Sequence, residues 1–412
     1  MKALLITFAV FLQFTLHAQV LGCTDPLSNN YNPQATVNNG TCSYGPSSVA
    51  PVSSVNLPDA VNETSGLVKW EERLLTHNDN TDLKLYSLDS ISGAVVQTFT
   101  VTGTSNTDWE EVAQDGQYIY IGDFGNNGNG NRTNLRIIRV SKEELLSGDL
   151  QANSIHFSYS NQTNFTATGG NNTDFDCEAF IISNDSIYLF TKQWVSKKTS
   201  VYALPKTPGT HVAQFKTTFD ISGLITGATY QEDKKLVVLT GYSTLLQPFF
   251  YLLYDFSGHS FFGGNKRKIS MSSMGFHQVE GIATSNGLDY FASNENFVRA
   301  PLINVSQKLH KFDLRPYLQE YLENLPLATS HNDIRNRIRV YPNPAGDHLY
   351  IEIEPSLVGI QYSFIDMNGR NAQSGILNSE RNRLDIGRLQ SGVYVIKVSE
   401  FPDYSYRLVK RD

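Results

Sequence analysis

The sequence predicts an all-β protein: a five-bladed β-propeller followed by a small immunoglobulin-like β-sandwich. Three observations lead to this fold class. A short phrase recurs five times, each copy running from a small residue or carboxylate through Gly or Ala into an apolar strand. Short strands rich in aromatic and β-branched residues follow each phrase, about four to a unit. A separate set of strands without the phrase occupies residues 338–412.

The recurring phrase sets the blade count. Four strands repeated behind each copy are typical of a propeller, whereas a sandwich would not need the phrase to recur. Five copies favour five blades, with six as the alternative. The copies are SGLVKW at 65–70, DWEEVAQD at 108–115, DCEAFIIS at 176–183, ITGATYQE at 225–232 and VEGIATSN at 279–286.

The ends of the propeller predict how its ring closes. A strand at 52–58 precedes the first phrase just as a fourth strand precedes each of the others. It therefore completes the last blade and removes free sheet edges that would promote aggregation. The segment 298–315 is the least regular part, and the propeller is assigned to residues 55–328.

The N-terminal region is predicted to hold a signal peptide at residues 1–18, since a charged start leads into an apolar run too short to span a membrane. No other apolar run reaches membrane-spanning length. Residues 19–45 form a small Asn-rich motif closed by a Cys23–Cys42 disulfide, and 46–54 form a linker. The Asp and Asn residues of the 19–45 motif could bind calcium or form turns, and the turn prediction is preferred.

The third cysteine, Cys177, has no predicted partner. It is either a reactive nucleophile or a small core residue. Its neighbours Asp176 and Glu178 would raise the pKa of a thiol rather than activate it. A structural role is therefore favoured.

The C-terminal part begins after one short helix within 314–327, which Pro316 and Pro326 bound. A polar linker at 329–337 precedes the second all-β set, 338–412, in which Asn368 and Gly369 form a hairpin turn. VYPNPAGDHLYIEI, the MNGR turn, LQSGVYVIKV and the ending RLVKR resemble the type A C-terminal sorting domain of the type IX secretion system. An unrelated adhesive sandwich is the alternative.

This resemblance implies an immunoglobulin-like sandwich that acts as an address. It implies two partners, the type IX secretion machinery and its sorting protease, and a secreted or outer cell-surface location in a Bacteroidetes-type organism. The charge balance agrees with such a location, because 40 acidic against 33 basic residues argue against a nucleic-acid partner.

The antiparallel order of the blades predicts one functional face. The start of each inner strand and the end of its neighbour must lie on the same side of the propeller. This reasoning brings the phrase carboxylates together with residues that end the second strands. The candidates are Glu110, Glu111, Glu178, Glu280, Asp108, Asp176, His77, Asn78, Asp79, Asp123, Asn126, Asn127, Lys192, Asn294 and Glu295, with His277 nearby.

Converging carboxylates predict a cation. Like charges on one axis repel unless a cation or protons offset them, and oxygen ligands favour Ca²⁺. The predicted calcium ligands are a subset of Glu110, Asp123, Glu178, Glu280 and Glu295. The alternative is that these residues cap strands or pair with Lys192, Arg132 and backbone amides. The ligand-binding face also includes His77, Asp79, Asn126, Asn127, Lys192 and His277.

The activity is left open by the motifs. Neither a GxSxG elbow nor an HExxH motif occurs. DWEEVA, GDFGNN, DCEAF and VEGIA resemble secreted propellers of the SdiA-regulated and esterase-like phytase type, which implies an acidic top face and calcium. A calcium-stabilised extracellular module that binds a glycan or protein is favoured. The alternative is a calcium-dependent phosphoesterase, which the scarcity of basic residues on this face disfavours.

Overall fold

The computed structural model describes residues 19–147, 150–325, 337–367, 369–399 and 401–411. The chain divides into two compact units between Glu323 and Asn324. The predicted signal peptide, 1–18, lies outside the described residues, as does most of the predicted linker at 329–337. None of the helices in the described ranges is both long and apolar enough to cross a membrane.

The N-terminal motif is closed by the predicted Cys23–Cys42 disulfide. It contains two short parallel strands, β1 (Leu21–Gly22) and β2 (Val37–Asn38). Asp25, Asn32 and Asn38 each accept a hydrogen bond from the backbone N–H two residues further on. These side chains build turns, which is the role preferred from the sequence.

The segment predicted as a linker, 46–54, belongs to the propeller instead. β3 (Ser48–Val49) pairs with the edge of one blade, and β4 (Ser53–Asn56) completes another. The physical reason is that the outermost strand of a blade leaves backbone groups unpaired, and this segment satisfies them.

The propeller has five antiparallel blades, so the five-blade prediction is confirmed, and their inner strands contact one another in order around a closed ring. Blade I consists of β5 (Thr64–Trp70), β6 (Arg73–Asn78), β7 (Lys84–Asp89) and β8 (Val95–Thr102). Blade II consists of β9 (Trp109–Gln114), β10 (Tyr118–Asp123), β11 (Arg136–Ser141) and β13 (Asn153–Tyr159), with α1 (Lys142–Ser147) and β12 (Leu150–Gln151) before its last strand.

Blades III and IV follow the same plan. The long last strand of blade III also pairs with β13, which joins blades II and III at their outer edges. Blade III consists of β14 (Asp176–Ser183), β15 (Ser186–Lys192), β16 (Thr199–Pro205) and β17 (Gly209–Phe219). Blade IV consists of β18 (Leu224–Gln231), β19 (Leu236–Tyr242), β20 (Pro248–Tyr254) and β21 (Asn265–Met271).

Blade V closes the ring as predicted, because its fourth strand is β4. The irregular segment near 298–315 contains an extra hairpin, which the sequence analysis missed. The predicted short helix is present as α2. Blade V consists of β22 (Val279–Thr284), β23 (Asp289–Asn294), β26 (Lys308–Asp313) and β4; the hairpin is β24 (Phe297–Arg299) with β25 (Ile303–Val305), and α2 spans Arg315–Glu323.

Apolar side chains fill the spaces between blades, and Cys177 is part of this core. Its side chain is fully buried, and its thiol donates to the carbonyl oxygens of Ala179 (3.5 Å) and Phe190 (3.6 Å). Burial raises the pKa of the thiol well above its usual range. The structural role predicted for Cys177 is confirmed.

The second unit is a sandwich of two sheets around a core that includes Leu349, Phe364 and Leu408. Asn343 lies in the predicted YPNP phrase and fixes it to the last strand, accepting from the Val409 N–H (2.9 Å) and donating to the Arg407 carbonyl (2.7 Å). Of the predicted Asn368–Gly369 turn, Asn368 lies outside the described residues. The strands are β27 (Ile338–Tyr341), β28 (His348–Ile353), β29 (Gln361–Asp366), β30 (Asn371–Ile376), β31 (Arg381–Asp385), β32 (Gly392–Val398) and β33 (Phe401–Lys410), in sheets ordered β27-β28-β31 and β30-β29-β32-β33.

Candidate functional site

Each inner strand carries a β-bulge at the recurring phrase. In blade II, Trp109 and Glu111 have partners on β10, but Glu110 between them has none. A bulge changes the direction of one side chain while the strand continues. The phrase is therefore the signature of a bulge, and in blades II, III and V the unpaired residue is a glutamate that lines one cavity. The unpaired residues are Ser65 with Gly66, Glu110, Glu178, Thr226 and Glu280.

The residue that follows the bulge in each phrase lies where neighbouring inner strands approach each other most closely. A Cβ added to Gly66 would lie 2.2 Å from the Val112 nitrogen, and one on Gly227 would lie 2.1 Å from the Glu280 carbonyl oxygen. Only small residues fit such contacts. Ala179 and Gly281 occupy the same position in blades III and V. Only blade II has a large residue there, Glu111.

Glu111 uses the space that the small residues leave. Its carboxylate is fully buried and accepts hydrogen bonds from the N–H groups of Val112 (2.9 Å) and Ala228 (2.8 Å). These two residues belong to the inner strands of blades II and IV. Glu111 therefore links two blades that are not neighbours in the ring. The sequence predicted both Glu110 and Glu111 on the functional face. For Glu111 this is wrong, because its carboxylate binds backbone N–H groups of two inner strands and does not line the cavity.

Above Glu111 a cavity of about 470 Å³ opens between the bulged residues and the loops. Six carboxylates line it, against three basic side chains. Three of the six are the bulged glutamates, and the others come from loops of blades I, II and V. The acidic residues are Asp79, Asp108, Glu110, Glu178, Glu280 and Glu295; the basic residues are Lys192, Lys197 and Arg299; Asn127, Trp194, Tyr242, Leu246, Gln278 and Phe297 are among the rest of the lining.

One of these carboxylates is neutralised by a buried lysine. The Lys192 ammonium donates to Glu178, and both side chains are 3% exposed. The same ammonium lies over the rings of Trp194 (4.7 Å to the centroid) and Tyr242 (5.2 Å). Burial opposes the charge on Lys192, but Glu178 and nearby acidic groups raise its pKa well above the usual range. Lys192 is therefore charged and serves as the cavity's own counterion for Glu178.

The remaining carboxylates have weaker compensation. Glu295 accepts from the Gln278 side chain, and Asp108 lies 4.0 Å from the Arg132 guanidinium. Glu110 is 5% exposed, and among the described residues no side chain or backbone group donates a hydrogen bond to its carboxylate. Burial, followed by the neighbouring carboxylates Glu178 and Asp108, raises the pKa of Glu110 well above its usual range.

The acid–base properties of the cavity reflect this crowding. Burial, followed by the neighbouring carboxylates Glu63 and Asp108, raises the pKa of Asp79 to about 7. Burial and Asp176 raise the pKa of Asp108 to about 6. Burial and Asp79 raise the pKa of Glu295 to about 8. The cavity therefore holds either protons or a cation at neutral pH.

We expect the cation-free protein to lose thermal stability as pH rises from 5 to 9. Groups whose pKa is raised in the folded state contribute stability that is complete below the unfolded value, near 4, and is lost as pH passes through the folded values. For Asp108, Asp79 and Glu295 those values are about 6, 7 and 8. The measurement is the melting temperature across this range in chelator.

The matched variant for this test is Asp79→Asn with Glu295→Gln, which removes the two groups whose pKa values lie near 7 and 8. Its melting temperature is expected to vary less with pH than that of the wild type. A wild-type melting temperature that rises from pH 5 to pH 9 would contradict the assignment.

Several predicted residues do not reach the cavity. Asp123 is fully buried and paired with Arg132 and Arg136, each at 2.9 Å. Asn126 is buried and holds its own loop, accepting from the Arg132 N–H at 2.9 Å. Asp176 also has internal donors, the Asn126 N–H (2.6 Å) and the Trp194 indole (2.7 Å).

The two histidines also lie outside the cavity lining. His77 is fully buried with its ring edge-on to Trp109, and burial lowers its pKa to about 4. His277 packs 5.7 Å from the ring of His310. The sequence analysis missed Trp194, Tyr242, Gln278 and Arg299. Trp194 and Tyr242 follow or end second strands, which is the same positional signal that identified Lys192.

The cavity contains no ready-made metal site of the usual kind. In the part of the chain that the structure describes, no three His, Cys, Asp or Glu side chains are grouped so that they could hold a metal ion. The charge of the lining fits a cation, but a metal ion here would have to retain water ligands, as Ca²⁺ commonly does.

Comparisons with known proteins bear on the fold and the C-terminal unit. No curated protein matches the chain. Among solved structures, PorZ of Porphyromonas gingivalis is similar over 85% of this chain at 12% identity and a TM-score of 0.30, and the chain spans 45% of it. The gluconolactonase XC5397 of Xanthomonas campestris is similar over 65% of this chain and 95% of its own (10% identity, TM-score 0.34). The RRP9 WD40 repeats are similar over 64% of this chain and 99% of their own length, at 9% identity and a TM-score of 0.34.

The C-terminal unit has a match of its own. Residues 339–409 match the family model described as the secretion system C-terminal sorting domain. The sequence resemblance to a type IX sorting domain is confirmed, and this domain marks proteins that are secreted or attached to the cell surface. Residues 339–409 are therefore a type IX secretion sorting domain, and the chain is a cargo of that system.

Proposed function

We propose that the propeller is an extracellular binding module whose acidic cavity takes a positively charged ligand. The observation that carries the proposal is Glu110, a buried carboxylate that borders the cavity and receives no hydrogen bond from any described residue. Asp79, Glu280 and Glu295 border the same space, and within the described residues none has a lysine or arginine within ion-pairing distance. A cation would offset the repulsion among these groups.

Ca²⁺ is the ion proposed for this cavity. Hard oxygen ligands and a flexible coordination number suit it, and water molecules would complete its shell. Because no three described carboxylates are grouped to bind an ion directly, Glu110, Glu280 and Glu295 of the original set are proposed to contact it partly through water molecules. Asp123 is excluded from the proposal because two arginines already neutralise it.

The test is thermal unfolding with and without Ca²⁺ at pH 8. All three tryptophans, Trp70, Trp109 and Trp194, belong to the propeller, so tryptophan fluorescence reports on this unit alone. We expect Ca²⁺ to raise the melting temperature, because a ligand that binds only the folded state stabilises it. At one hundred times the Kd the gain is about 2.7 kcal/mol.

The informative variant is Glu110→Gln with Glu280→Gln, which should lose most of the Ca²⁺-dependent gain. Glu143→Gln is the control, because Glu143 is an exposed glutamate on α1. No gain in wild-type melting temperature and no heat in a calorimetric titration would refute the calcium proposal.

A second candidate, a metal-dependent phosphoesterase, is supported by one observation. Glu295 and Asp79 have pKa values near 8 and 7 in the same cavity, which is the range suited to general acid–base catalysis at neutral pH. A screen against phosphomonoesters and carboxylesters, with and without EDTA, separates the candidates. Turnover that EDTA abolishes and that Glu178→Ala or Glu280→Ala removes would favour the enzyme.

A further inference from the structure

We infer that the cavity recognises the ammonium group of a lysine side chain in a partner polypeptide, with apolar residues beside that lysine packing on the rim. The inference rests on the proposed cation-binding function and names its ligand class. Three features of the propeller carry it: the chemistry around Lys192, the unneutralised carboxylates, and the apolar rim.

The surroundings of Lys192 show that this cavity accommodates an ammonium group. A carboxylate, Glu178, and two aromatic faces, Trp194 and Tyr242, hold the protein's own ammonium. Such an environment suits an ammonium, since aromatic faces attract cations and a carboxylate supplies a charged acceptor. The binding environment therefore already exists on one side of the cavity.

On the other side of the cavity, Glu110 corresponds to Glu178, but no lysine of the described residues forms an ion pair with it. Glu110 is buried, and no described residue donates a hydrogen bond to its carboxylate. Gly125 makes room for two neighbouring carboxylates, because a Cβ there would lie 2.2 Å from Glu110 Oε1 and 2.3 Å from Asp108 Oδ2. Phe297 also lines the cavity, and the Arg299 guanidinium lies over its ring, 5.5 Å from the centroid. An alkylammonium chain is slim enough for a cavity of about 470 Å³, and its three N–H donors match separate carboxylates.

The rim indicates that the ammonium belongs to a polypeptide rather than to a free amine. Val195 follows Trp194, Leu245 precedes Leu246, and Val298 lies between Phe297 and Arg299. Their exposed fractions are 59%, 82% and 56%. Phe276, 47% exposed, donates its N–H to the Leu246 carbonyl. Exposed apolar side chains next to the lining residues of a polar pocket are typical of a protein interface.

The probe is the peptide acetyl-Leu-Lys-Leu-amide, titrated calorimetrically into the full chain at pH 7.5 in chelator. The control peptide carries norleucine in place of lysine, which keeps the chain length and removes the charge. We expect the lysine peptide to bind at least ten times more tightly. Glu110→Gln should weaken its binding at least tenfold, and saturating Ca²⁺ should compete with it.

The rim is tested by Leu245→Ser with Val298→Ser. This variant should weaken the lysine peptide severalfold and leave the Ca²⁺-dependent gain in melting temperature unchanged. Equal binding of the two peptides, or no binding of the lysine peptide at millimolar concentration, would overturn the inference. If Ca²⁺ still stabilises the protein in that case, the cation site stands and only the lysine ligand is wrong; if Ca²⁺ also has no effect, both proposals fail.

Discussion

Glu111→Ala is expected to lower the free energy of unfolding of the propeller by about 3 to 5 kcal/mol. The substitution leaves the N–H groups of Val112 and Ala228 without their acceptor, and each such buried donor costs about 1 to 3 kcal/mol. It also removes the side chain that fills the space between Gly66 and Gly227, which adds a cavity cost. Urea unfolding followed by tryptophan fluorescence measures the change.

The adjacent residue provides the control. Glu110→Ala removes the same side chain one position earlier, but no donor loses its partner, and one charge leaves a group of repelling carboxylates. We expect its stability at pH 8 to stay within about 1 kcal/mol of the wild type or to rise. If the two variants were equally destabilised, the division into a structural Glu111 and a ligand-facing Glu110 would be wrong.

This pair of residues shows where prediction from the sequence ends. Five recurring phrases were enough to count the blades, and antiparallel chain order was enough to bring Glu178, Glu280 and Glu295 to one cavity. A shift of one residue in a strand moves a side chain to the opposite face. The bulge makes that shift inside DWEEVAQ, so Glu110 and Glu111, which the sequence analysis placed on the same face, are separated into one cavity residue and one channel residue.

Asp123, Asn126 and His77 show a second limit. Chain order correctly places them at the ends of second strands, on the same side as the cavity. Their side chains are nevertheless used internally. Arg132 and Arg136 come from a loop and strand that fold back onto Asp123. Asn126 accepts from the Arg132 N–H, and His77 packs on Trp109. Partners supplied by a folded loop depend on its path, and composition alone does not reveal that path.

Lys192→Met is expected to be the second strongly destabilising change, and its effect should depend on pH. It removes the only cation that contacts Glu178 among the described residues, and Glu178 then remains buried beside Asp176 and Glu280. Breaking one side of a buried ion pair costs about 3 to 5 kcal/mol, since the remaining charge is left uncompensated. Urea unfolding at pH 8 should show this loss.

The double variant Lys192→Met with Glu178→Gln separates charge from packing. It removes the stranded charge while it keeps the shape of the side chain, so most of the stability lost in Lys192→Met should return at pH 8. At pH 5 the single variant should itself recover, because protonation of Glu178 removes the same charge. If the single and double variants were equally unstable at both pH values, Lys192 would act through packing on Trp194 and Tyr242, and the cavity would not depend on a resident ammonium.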